Sequence, residues 1–87
     1  MNRNIHFIRL GNNIKKYRLV RGYTQEAFAE KINKTANFVS LLENAHKGIT
    51  LYTLFEIADA LEVPVGKLFE ECDKVEGRIK KYKKVHH

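Results

Sequence analysis

Apolar side chains in this chain recur at steps of three and four residues, in short segments separated by polar breaks. That is the period of an α-helix, and no stretch carries the alternation of a half-buried strand. Phe7, Leu10, Ile14 and Tyr17 make one stripe on a first helix over about residues 5–21, while Ile5, Ile8, Leu19 and Val20 widen or leave it. Gly22 then offers a residue that takes positive φ and stops the helix. Thr24 is a good N-cap, Glu26 sets a carboxylate in the first turn, and Phe28, Ala29 and Ile32 form the buried side of a second helix. Asn33 suits a left-handed turn, Thr35 caps a third helix, and Val39 and Leu42 face inward from it one turn apart. That helix ends near Glu43 or Asn44, and the stretch to Gly48 has no apolar pattern and reads as a loop. Thr50 caps a fourth helix with the stripe Leu51, Leu54, Ile57, Ala58 and Leu61, which Val63-Pro64 terminates. Pro64 opens a fifth, whose apolar residues are Val65, Leu68 and Phe69.

Five short helices with no strand predict a compact all-α domain. At 87 residues there is length for one domain. Such a chain buries only roughly 60–65% of its unfolded surface, which leaves little room for an enclosed catalytic cavity. We divide it into an N-terminal extension and start of the first helix at residues 1–9, the domain proper at 10–71, and a basic tail at 72–87. Past Gly77 the tail is expected to be disordered, and His86-His87 resemble a purification-tag remnant. The composition, 44% hydrophobic and 30% charged, is that of a soluble globular protein without a membrane span or secretory signal. Cys72 is the one cysteine, so no intrachain disulfide forms and a reducing compartment fits. The formal charge of +6 is uneven: residues 1–22 carry six Lys/Arg and no acid, residues 45–73 sum to −4, and residues 74–87 to +5. A basic small domain points to an anionic partner or, equally, to a solvated face.

The informative segment is TQEAFAEKINKTANFVSLLEN, residues 24–44. Two short helices flank a turn of about three residues centred on Asn33, and the small Ala29 sits where the backbones approach. This is the sequence form of a helix-turn-helix, whose second helix can enter the major groove of duplex DNA.

Leu10 through Glu70 resemble the Cro/repressor-type (XRE) family of helix-turn-helix DNA-binding proteins. The markers are Arg18 followed by Gly22, the Thr24-Gln25-Glu26 opening, Ala29, Ser40 with Leu42-Glu43-Asn44, and Ile57-Ala58 with Ala60-Leu61. The resemblance implies a lambda-repressor-like five-helix fold with the helix-turn-helix at helices two and three. It implies double-stranded DNA as the partner and a homodimeric, cytoplasmic regulator encoded by a bacterium or phage.

The chemistry can be assigned residue by residue. Gln25 opens the second helix, where unsatisfied backbone amides favour an anion, so it is expected to grip a phosphate together with Thr24. On the third helix Ala36, Asn37, Ser40 and Leu41 point outward and match the family's base-reading positions. Asn37 pairs a donor with an acceptor as adenine requires, Ala36 can touch a thymine methyl, and Ser40 can contact base or phosphate. Leu41 departs from the polar or basic residue of many relatives, and either packs on a thymine methyl or reads no base. Asn44 resembles a phosphate-contacting position, and Lys34, His46 and Lys47 flank the third helix, where the lysines attract phosphates. Phe38 lies between core and groove, with a partly buried place favoured. Arg18 and Glu43 stand where some relatives carry an ion pair between the first and third helices, so Arg18 is architectural first and phosphate-binding second. Asn33, Ala45 and Glu62 replace glycines of many relatives; Ala and Glu take the left-handed region poorly, so two helix ends are expected to depart from the family pattern.

Other classes fare worse. Ser40 is the lone serine, the four histidines show no ligand spacing with Cys72, and no glycine-rich phosphate loop is present, so we expect no enzyme, metal, cofactor or small-molecule ligand. GRIKKYKKV lacks the large apolar residues a membrane-surface segment needs. The rival is a protein-interaction module of the same fold, antitoxin-like or bridging, which Leu41 and the few polar residues on the third helix favour. For the dimer interface we expect Leu68 and Phe69 with Tyr52 or Phe55, residues that serve a core equally well.

Overall fold

The computed structural model describes residues 4–71. Within them lie four α-helices, α1 (Ile5–Val20), α2 (Gln25–Lys31), α3 (Ala36–Glu43) and α4 (Leu51–Leu61), followed by a 3₁₀ turn (Val65–Phe69). The tail, Cys72 and His86-His87 lie outside the described residues.

Three threonines set the starts of three helices in the same way. Thr24, Thr35 and Thr50 are extended, and their side-chain oxygens accept from the backbone N–H of Ala27, Phe38 and Thr53. Each hydroxyl satisfies one of the amide groups that a helix start leaves without an intrahelical partner. α1 begins on Asn4, whose Oδ1 accepts from the His6 amide at 2.7 Å.

The expected fifth helix is a 3₁₀ turn. The turn after Pro64 spans only five residues, one of them Gly66, and the Lys67 amide closes on the Pro64 carbonyl three residues back at 2.9 Å. So short a segment does not gain enough i to i+4 bonds to propagate as an α-helix.

Leu10, Ile14, Phe28, Ala29, Ile32, Val39, Leu42, Leu54, Ile57, Ala58, Leu61 and Leu68 make one buried cluster. α2 packs on α3, and α1 packs on α3, on α4 and on the 3₁₀ turn. Two expectations are corrected here, and a third, left open between core and dimer surface, is decided. Phe7 is 44% exposed and lies beside Gly48 rather than on the core stripe, because it precedes the part of α1 that the other helices cover. Leu51 is 70% exposed at the first position of α4. Leu68 is fully buried, so it belongs to the core and not to a dimer surface.

Asn33, Ala45 and Glu62 all adopt positive φ, at 59°, 62° and 60°. The helix ends therefore follow the left-handed pattern despite the Ala and Glu side chains, contrary to expectation. Tertiary bonds hold one of them: Arg21 donates from Nε to the Leu61 carbonyl at 2.7 Å and from Nη2 to the Glu62 carbonyl at 3.1 Å. Tethered from outside α4, the chain tolerates a backbone conformation that costs a non-glycine residue roughly 1–2 kcal/mol.

Candidate nucleic-acid interface

The candidate interface is built on a buried polar joint. Arg18, near the end of α1, donates from Nε to Glu43 Oε2 at 2.6 Å and from Nη2 to Glu43 Oε1 at 3.1 Å. Its Nη1 donates to the Tyr23 carbonyl at 2.8 Å. The two side chains are 7% and 3% exposed. A two-pronged guanidinium–carboxylate pair has one geometry, so it fixes the C-terminal end of α3 against α1 in distance and rotation.

Gln25 joins the same carboxylate. Its Nε2 donates to Glu43 Oε1 at 3.1 Å, which ties the first residue of α2 to the last of α3. A carboxylate can only accept, so this amide must present its NH₂ there, and one of its two N–H groups remains to donate elsewhere. The joint thus holds α1, α2 and α3 together behind the face that carries the outward residues of α3.

On that face Asn37 is exposed, and Ala36, Ser40 and Leu41 are half-buried. Val39, Leu42 and Glu43 point inward. Asn44 donates from Nδ2 to the Ser40 carbonyl at 2.8 Å and closes the helix. Thr24 spends an oxygen lone pair on its cap and keeps its hydroxyl hydrogen as a donor. α3 has no acid in its first turn, so no side chain there opposes the partial positive charge at its N-terminus. α2 carries Glu26 in the equivalent place.

Arg18 does not reach outward. Its guanidinium is buried and committed to Glu43 and the Tyr23 carbonyl, so of its two expected roles the geometry displays the architectural one. Lys34 and Lys47 are exposed, on either side of α3 in the chain. Phe38 is half-buried against the core, and both lysine Nζ atoms lie over its ring, at 5.3 and 5.4 Å from the centroid.

Two residues that hold the scaffold behind this face together are not marked by the apolar spacing. Asn13 is buried on α1 and donates from Nδ2 to the Leu68 and Glu70 carbonyls at 3.0 and 2.8 Å, docking the 3₁₀ turn. Its position, three residues after Leu10 and one before Ile14, was the available signal: a polar side chain inside an apolar stripe. Gly11 is the place where α1 touches the end of α3; a Cβ there would stand 2.6 Å from the Leu42 carbonyl oxygen and 2.7 Å from that of Glu43. Among the described residues no group of His, Cys, Asp and Glu could hold a metal ion.

A helix-turn-helix family profile, HTH_3, matches residues 14–68. The control protein C.MunI of a Mycoplasma species is 32% identical over 68 residues, spanning 77% of this chain and 92% of that protein. The chain belongs to the XRE-type helix-turn-helix family. The crystal structure of a point mutant of the restriction–modification controller protein C.Esp1396I aligns over 99% of both chains, with 28% identity and a TM-score of 0.71. The controller C.AhdI from Aeromonas hydrophila, 22% identical, shares the fold at a TM-score of 0.70 over 75% of this chain and 94% of its own. Membership of this helix-turn-helix family places the chain among DNA-binding transcriptional regulators, a regulatory rather than an enzymatic class.

Proposed function

We propose that this helix-turn-helix protein is a dimeric, sequence-specific controller that represses transcription from a two-fold symmetric operator, its own gene included. In this reading α3 enters the major groove. Asn37 and Ser40 form hydrogen bonds with base edges, and Ala36 and Leu41 pack on thymine methyl groups. Gln25, Thr24, Asn44, Lys34 and Lys47 hold phosphates and set the register, while Arg18 acts through Glu43. The observation that carries the reading is the Arg18–Glu43–Gln25 joint, which couples the helix that reads bases to the residue placed for phosphate. Its likeness to the control protein C.MunI supports a controller role.

One helix of this length reads too few base pairs for a unique site. Two copies about one duplex turn apart, roughly 34 Å, double the readout. Tyr52 and Phe55 on α4, exposed by 74% and 50%, together with Leu51 and Phe69, supply apolar surface for that pairing. Its target places it in the cytoplasm of a bacterium or an infected cell, and no helix among the described residues is long and apolar enough to cross a membrane.

Selection from random duplexes at physiological salt tests the reading. The expected result is enrichment of an inverted repeat, with perturbed amide resonances across residues 24–44. An unenriched pool and unmoved resonances in that segment would leave the interaction module as the better description.

A further inference from the structure

We infer that Phe38 is a positioning residue that gathers Lys34 and Lys47 into one phosphate clamp beside α3. The inference rests on the DNA-binding reading above and assigns a role to the ring. Lys34 precedes α3 and Lys47 lies in the loop that follows it, yet the ammonium group of each lies over the same ring, at 5.3 and 5.4 Å from its centroid. The two nitrogens are therefore no farther apart than the sum of those distances. Neither is paired with a carboxylate among the described residues, so their charge is not neutralised within the domain. The shallow depression around them is lined by Lys34, Phe38, Lys47, Ile49, Thr50 and Thr53 among others, with no acid in its lining.

The ring is a fixed platform because Phe38 packs against the core and its backbone N–H is held by the Thr35 cap. A lysine normally loses much of its rotamer freedom when it grips a phosphate, and two lysines lose twice as much. Attraction to the ring restricts both side chains beforehand. The ring takes up one side of each ammonium, and the N–H groups directed away from it remain able to reach phosphate oxygens. Each such contact at an exposed site corresponds to roughly a two- to fivefold preference for the ordered arrangement.

The test is Phe38→Leu, which keeps an apolar side chain against the core and removes the ring face. Without DNA, the Lys34 and Lys47 CεH₂ protons of the unmodified chain should show upfield ring-current shifts that vanish in the variant. With an operator duplex, affinity should fall about five- to twentyfold, and the slope of log K against log salt should shrink by about 1–2 as phosphate contacts are lost. Phe38→Tyr, which keeps the ring face, should restore the slope. In a Lys34→Gln, Lys47→Gln background, Phe38→Leu should weaken binding no further. Unshifted lysine protons in the unmodified chain, or a Phe38→Leu variant with unchanged affinity and slope, would overturn the clamp and leave the DNA-binding reading intact. Ring-current shifts present in a chain that binds no duplex would instead overturn that reading, and the clamp's function with it.

Discussion

Asn37 and Gln25 differ in how a substitution at each should register on DNA. Asn37 is exposed on α3 with both amide groups available, so Asn37→Ala is expected to relax preference at one base pair and to cost about 1–3 kcal/mol on the best site. Competition binding against single-substituted duplexes measures this; unaltered preference at every position would remove Asn37 from base reading. Gln25→Ala should instead weaken binding to all duplexes by a similar factor, because a phosphate carries no sequence information. Glu62 gives a prediction about stability alone. It sits at φ 60° where glycine incurs no Cβ penalty, so Glu62→Gly should raise stability by about 0.5–1 kcal/mol after the entropy of the freer unfolded chain is subtracted. Gly22→Ala, at φ 84°, should move thermal unfolding the other way.

Among the elements, α1 and α3 are coupled twice, by the close approach at Gly11 and by the Arg18–Glu43 pair. Gly11→Ala drives a methyl into backbone carbonyls that cannot swing aside, and should cost about 1–3 kcal/mol, a fall of several degrees in Tm for a domain this size. Arg18→Met leaves Glu43 buried without its partner and should cost about 3–5 kcal/mol in chemical denaturation. The double variant Arg18→Met, Glu43→Leu should recover most of that stability. It should still bind DNA more weakly, because Gln25 has lost the carboxylate that orients it. Recovered stability with undiminished affinity would show that the joint contributes only to folding. The same element shows what spacing could and could not convey. Apolar steps along α1 pointed to Leu10 and Ile14, whereas Asn13 and Gly11, polar and small, take their roles from partners on the 3₁₀ turn and α3.

For the whole molecule the open quantity is its association with a second copy. Leu51, Tyr52 and Phe55 stand at neighbouring positions on α4 and are at least half exposed, an apolar surface suited to pairing with a second copy. Sedimentation should find a dimer at micromolar concentrations, and Tyr52→Glu with Phe55→Glu should shift it to monomer without unfolding it. Binding to an inverted repeat should then fall to that of a single half-site. A monomeric unmodified chain that nonetheless bound the repeat cooperatively would remove α4 from the interface.

Helix number and placement up to Leu61, the three threonine caps and the inward faces of α2 and α3 were legible in the chain, because each depends on neighbours within about four residues. Leu68 could not be sorted between core and surface from its own segment, since only the docking of the 3₁₀ turn on α1 buries it. Nor could the left-handed Ala45 and Glu62 be foreseen, because the preference of their side chains opposes them, while the backbone bonds that close α3 and α4, and at Glu62 the Arg21 tether, hold them there. The shared ring beneath Lys34 and Lys47 likewise needs the loop after α3 to fold back, and a contact between residues so separated in the chain leaves no periodic trace. Local order follows from short-range backbone physics, whereas the buried joints and the lysine pair exist only once the helices have closed on one another.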